Sequence, residues 1–118
     1  MKITHEELID DAIIENLKEL GEGDGGSFLK EIINLYLEQA PGLMTEVRQY
    51  ASGGEAEKMG KSAHTLKGSS LNVGAKLFSD VCRKIEMAGK DNNLEGIDDM
   101  IGEMDEIYRL TEEELKSL

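Results

Sequence analysis

SFLKEIINLYLEQAPGLMTEVRQYASGG, residues 27–54, carries the longest helical signal in the chain. Leu29, Ile33, Tyr36, Ala40, Leu43, Val47 and Ala51 recur every three or four residues, the period of one face of an α-helix. Pro41 falls in the middle of this run, where it removes one backbone donor and crowds the preceding turn. The apolar period keeps its phase across the proline. The run therefore predicts one long kinked helix, capped by Ser27 and ended by Gly53 and Gly54.

The same period continues on both sides. Downstream, a helix over about 55–71 carries Ala56, Met59, Ala63, Leu66 and Ser70 inward, and Asn72-Val73-Gly74 reads as a turn. A helix over about 75–88 buries Phe78, Val81, Cys82 and Ile85, with Gly89 placed as its stop. A last helix, about 94–115, carries Ile97, Ile101, Met104 and Tyr108, widened by Met100 and Ile107. Upstream, Thr4 and Glu7 have capping-box spacing, so a helix over about 5–20 is expected, with Leu8, Ala12, Ile13, Leu17 and Leu20 as its stripe. GEGDGG, residues 21–26, ends it. Long helices joined by short loops pack as antiparallel neighbours. The expected fold is all-α: an up-and-down four-helix bundle over about 27–116, with the N-terminal helix packed across one end or side, in a single domain spanning 1–118.

Composition narrows the function. The chain has 118 residues and a formal net charge of −12, which argues against nonspecific binding to nucleic acid or anionic membrane. No apolar run approaches the roughly 18 residues of a membrane span. Cys82 is the only cysteine and fits as a small core residue, so a cytoplasmic protein without an intramolecular disulfide is expected. The charge is unevenly spread. Residues 55–90 hold seven basic and four acidic groups, a net +3 in an acidic chain. That segment also holds His64, within AHTLKGSS, residues 63–70.

At 100° per residue, His64 falls roughly 130° from the centre of its helix's inward stripe and faces solvent. Gly60 and Gly68 lie one turn before and one turn after it, and each costs about 1 kcal/mol relative to Ala in a helix. They are expected to leave the imidazole uncovered on both sides. Lys67 at i+3 and Lys61 at i−3 place ammonium groups near whatever the ring binds. Ser69 and Ser70 add hydroxyls, Ser70 more naturally bonding inside the bundle. A neutral imidazole nitrogen is a nucleophile near pH 7 and yields a phosphoramidate on attack at phosphorus, whose oxygens Lys67 would partly neutralise. The other ring nitrogen needs an acceptor, and the spacing names none. His5, among Glu6 and Glu7, reads as a solvated surface residue.

AHTLKGSSLNVGAKLFSDVCRKIEMAGK, residues 63–90, resembles the histidine-containing phosphotransfer (HPt) domain of multistep two-component phosphorelays. The likeness rests on the histidine helix, on Gly74-Ala75 opening the next helix, and on Cys82 and Ile85-Glu86 within it; it covers residues 27–110 and touches the N-terminal helix only loosely. The resemblance implies that His64 accepts a phosphoryl group from a receiver-domain aspartate and passes it to another. Lys67 would steady the group and Gly68 would keep the site open. It implies a carrier, not an autonomous enzyme. Its partners would be response-regulator receiver domains, with a hybrid sensor kinase as a further candidate. No cofactor or metal is expected on this chain, Mg²⁺ belonging to the receiver. A monomer is expected, and Met1 together with the lack of a linker favours a free-standing protein. The docking surface is placed around His64, at Gly60, Lys61, Leu71, Lys76 and Leu77.

Two other readings stay open. A histidine-kinase dimerisation and phosphoacceptor domain is also helical, but usually has an acidic residue after the histidine, where Thr65 stands here. A helical adaptor that is never phosphorylated would bind a partner through the same groove. A di-iron bundle needs Glu-x-x-His pairs on facing helices, and that spacing is absent around His64.

Overall fold

A computed structural model describes residues 2–118. It contains six helices: α1 His5–Leu8, α2 Asp11–Leu20, α3 Ser27–Ser52, α4 Ala56–Asn72, α5 Lys76–Lys90 and α6 Ile97–Lys116. Helices α3 to α6 form the four-helix bundle, each packing on its neighbours in sequence and α6 closing against α3. Its core is the periodic set: Leu29, Ile33, Tyr36, Ala40 and Val47 of α3, Met59, Ala63 and Leu66 of α4, Phe78, Val81, Cys82 and Ile85 of α5, and Ile97, Met104, Ile107 and Tyr108 of α6. Burial pushes the Cys82 thiol up to about 12, so it stays a protonated core group. Helix α3 runs unbroken through Pro41, with the Thr45 hydroxyl donating to the Pro41 carbonyl at 3.0 Å. Among the described residues, no helix is long and apolar enough to cross a membrane.

Four sequence expectations need correction. The N-terminal helix is two helices. The Thr4–Glu7 capping box starts α1, but Ile9 is extended and the Asp10 side chain caps α2 by accepting from the Ala12 N–H at 3.1 Å. The break resets the helical phase: Leu8, Ile9 and Ile14 are buried, whereas Leu20 is 75% exposed. Second, Ser27 is the first helical residue of α3 and does not cap it. Asp24 does that work from outside, accepting from the Gly26 and Phe28 N–H groups, each at 2.9 Å. Third, α6 begins at Ile97; Leu94 lies in the preceding turn, partly buried against the core.

The fourth correction concerns Gly89, which does not end α5. The helix continues to Lys90, and Gly89 faces α4. A Cβ there would lie 2.6 Å from the Gly60 Cα, closer than packed atoms come. The two glycines bring the α4 and α5 backbones together.

The N-terminal segment seals the end of the bundle that holds the α4–α5 turn. The Asp10 N–H donates to the Gly74 carbonyl at 2.8 Å. Gly74 has φ +75, and a Cβ on it would meet the Asp10 carbonyl at 2.9 Å, so only glycine fits this seat.

Candidate functional site

His64 stands on α4 with its side chain 66% exposed, on the side facing α5. Helical phase explains the two flanks of the ring. Gly60 and Lys67 lie 40° and 60° to one side of it by the 100° rotation per residue, and Gly68 and Lys61 lie the same angles to the other (about one-ninth and one-sixth of a turn). The first flank meets α5; the second meets solvent. Gly60 is accordingly buried, its absent Cβ making room for Gly89 and the Glu86 carbonyl. The expectation that Gly60 leaves the imidazole uncovered is therefore wrong: it sets the spacing of the two helices. At Gly68 a Cβ would meet nothing within 4 Å, so that glycine does leave the face open.

The acceptor that the sequence left unnamed is Glu86. Its carboxylate is only 5% exposed and takes His64 Nδ1 on Oε2 at 2.6 Å and Lys67 Nζ on Oε1 at 2.7 Å. Lys90 Nζ lies 3.6 Å from Oε2. The Lys67 ammonium, outweighing burial and helped by His64, holds the Glu86 carboxyl below its ordinary range. An ionised carboxylate can only accept hydrogen bonds, so Nδ1 carries a proton, and in the neutral ring Nε2 is the nitrogen that presents its lone pair. One side chain thus sets the tautomer of the ring and the position of the cation beside it.

Glu86 was detectable in principle. Phe78, Cys82 and Glu86 are spaced i, i+4, i+8, which puts an acid on the buried stripe of α5. A carboxylate at such a position must be paired. What the spacing could not supply is the identity of its partners on α4.

The remaining candidates divide. Lys67 is at the ring; Lys61 is exposed and lies 3.6 Å from Glu57. Ser69 donates to the Thr65 carbonyl at 3.1 Å and Ser70 to the Leu66 carbonyl at 2.7 Å, so neither hydroxyl is aimed at the imidazole. Ser70 also receives the buried Tyr36 hydroxyl at 2.7 Å, as a residue bonded inside the bundle. Leu71, half exposed, lies two turns beyond His64 on the same face, and Lys76 and Leu77 open α5 nearby, exposed and half-buried respectively. An open groove of about 870 Å³ runs beside the ring, with Gly60 and Gly89 among its lining residues and Thr65 and Lys90 on its sides. Among the described residues, no group of three or more His, Cys, Asp or Glu side chains is arranged to hold a metal ion.

His5 departs most from expectation. It is not simply solvated: Nδ1 lies 2.5 Å from Glu114 Oε2 and Nε2 lies 2.7 Å from Asp11 Oδ1, with 30% of the side chain exposed.

The comparisons with known proteins converge. A family model for the Hpt domain matches residues 31–114. Multistep phosphorelay regulator 1 of Schizosaccharomyces pombe is 28% identical over 95 residues, 80% of this chain and 32% of that protein. Phosphorelay intermediate protein YPD1 of Candida albicans is 27% identical over 94 residues, 80% of this chain and 50% of that protein. The chain thus spans a third to a half of the length of these two relatives. Histidine-containing phosphotransfer protein B of Pseudomonas aeruginosa PAO1 superposes with a TM-score of 0.83 at 19% identity, covering 92% of this chain and 91% of that one, a likeness of fold.

Proposed function

The chain belongs to the Hpt domain family, and from that premise we propose that it is a phosphorelay intermediate carrying a phosphoryl group on His64 between receiver-domain aspartates. The observation that carries this reading is the pairing of Nδ1 with buried Glu86 while the ring stays two-thirds exposed.

The step follows from that tautomer. Nε2 attacks the phosphorus of a receiver acyl phosphate; the N–P bond forms as the bond to the aspartate oxygen breaks, and the aspartate leaves as a carboxylate. The ring now bears phosphorus on Nε2 and a proton on Nδ1, and its positive charge lies against the Glu86 carboxylate. In the second transfer the aspartate of another receiver attacks, and the ring returns to its starting tautomer. Lys67 reaches the transferring oxygens from the Glu86 side, and Lys90 adds a second cation at the groove. Gly68 keeps the outer flank clear. Receivers dock across α4 and α5, over Lys61, Leu71, Lys76 and Leu77, and supply the Mg²⁺; Gly60 serves this surface indirectly, by setting its helix spacing. The chain acts as a carrier and not as an autonomous catalyst.

The test is incubation with a radiolabelled phosphorylated receiver. Acid-labile, base-stable label should appear on the wild-type chain and be absent from His64→Gln. Label retained by the variant would end the proposal.

A further inference from the structure

His5 joins three pieces of the molecule that lie far apart in sequence. Its own helix, α1, packs on α5 and α6. Its ring bridges Asp11, the first residue of α2, and Glu114, near the end of α6. Beneath it Leu8 and Ile9 are 3% and 1% exposed. Just beyond, the Asp10 N–H holds the Gly74 carbonyl in the turn between the two helices of the phosphotransfer site. Two carboxylates, one on each ring nitrogen, demand two N–H donors, and only the imidazolium has both. We propose that the N-terminal segment is a proton-operated clasp on the α4–α5 turn, held shut while the His5 imidazolium bridges Asp11 and Glu114 and opening more often once the ring loses its proton to solvent.

The charged groups that face the ring support this sign. Asp11 acts from α2 and Glu114 from α6; α5, the other helix packed on α1, contributes no charge that bears on the ring. Within α1, Glu7 is engaged with the Thr4 N–H and hydroxyl and does not reach the imidazole. Hydrogen bonds to Asp11, then to Glu114, raise the His5 titration above its ordinary 6.5. A raised folded value means that the stabilisation is fully present below 6.5 and lost as the pH climbs through the docked ring's own titration. Deprotonation then leaves one nitrogen lone pair facing a carboxylate. Burial of Leu8 and Ile9 continues to favour docking, so the device shifts an equilibrium and does not eject the segment.

The clasp is tested by amide hydrogen exchange of Ile9 and Asp10 on the whole chain between pH 6 and 9.5, with rates divided by the intrinsic ones. An NMR titration of the His5 ring accompanies it. The corrected opening should increase through the His5 midpoint, by about tenfold for each pH unit separating docked and released ring titrations. Amides of Met59 and Ile85 in the bundle core should stay flat. His5→Gln should abolish the pH step, and Glu114→Gln, which leaves Nδ1 a neutral acceptor, should move the midpoint down. Opening that stays flat across the His5 titration, a step that survives in His5→Gln, or a midpoint unmoved in Glu114→Gln would each overturn the clasp. Phosphorylation of His64 is not involved in any of these readouts.

Discussion

Both histidines of this chain are paired with carboxylates, and they differ in how much of the ring the pairing uses. His64 gives Nδ1 to Glu86 and keeps Nε2 in solvent. His5 gives both nitrogens away, to Glu114 and Asp11, and so links helices. The carboxylates differ as well: Glu86 is buried and shared with Lys67, while Asp11 and Glu114 are 59% and 33% exposed. A ring becomes a carrier when one nitrogen is oriented by a fixed acceptor and the other is left without a partner. It becomes a fastener when no nitrogen is left over.

The largest effect separates the two rings outright. His64→Gln should lose all phosphorylation by a receiver while keeping its helical circular dichroism, and His5→Gln should retain full labelling. Equal labelling of the two variants, measured by autoradiography, would erase the distinction.

The backbone around His64 offers the next contrast. Gly89→Ala forces a Cβ into the Gly60 backbone and should cost about 1–3 kcal/mol in urea unfolding. Gly68→Ala fills open space within a helix and should gain up to about 1 kcal/mol. A loss at Gly68 would mean that its face is covered after all.

Carboxylate deletion should be graded by burial. Glu86→Ala should cost about 1–2 kcal/mol and slow phosphotransfer, because Nδ1 and Lys67 lose a shared partner. Glu114→Ala, at a partly exposed pair, should cost less than about 1 kcal/mol and leave transfer rates unchanged. Unchanged transfer in Glu86→Ala would remove its role in setting the tautomer.

The smallest effects are opposite in sign along the pH axis. The Glu86 carboxyl titrates below its ordinary 4.5, so its stabilisation is present above that value and lost as the pH falls through the folded titration. The His5 contribution is present below 6.5 and lost as the pH rises. Urea midpoints of wild type against Glu86→Gln and His5→Gln, taken from pH 3 to pH 9 in about one-unit steps, should converge at the acid end for the first pair and at the alkaline end for the second.

Much of this molecule could be read along the chain. The stripe from Leu29 to Val47 carried helix α3 through Pro41, and the phase of His64 against Met59 and Leu66 put the ring outside the core. Local caps at Asp10 and Asp24 moved helix ends, and the errors at the site arose where a short-range rule met a long-range contact. Gly89 looks like a helix stop, and Gly60 looks like an open surface position, because each reveals its purpose only against the other, 29 positions away by their numbering. His5 looks solvated because Glu114 lies 109 residues distant.

The four bundle helices with their inward stripes, the exposure of His64 and the open flank at Gly68 were already present in the order of residues along the chain. These depend on the 100° rotation between neighbours and on local propensity, which do not need a partner. Packing between helices was needed to show that Gly60 and Gly89 form one crossing, that Glu86 orients His64 and holds Lys67, and that His5 fastens α1 to α6. Each is a pairing between helices. The register and crossing of those helices come from how whole faces pack, which the spacing within any single helix does not contain.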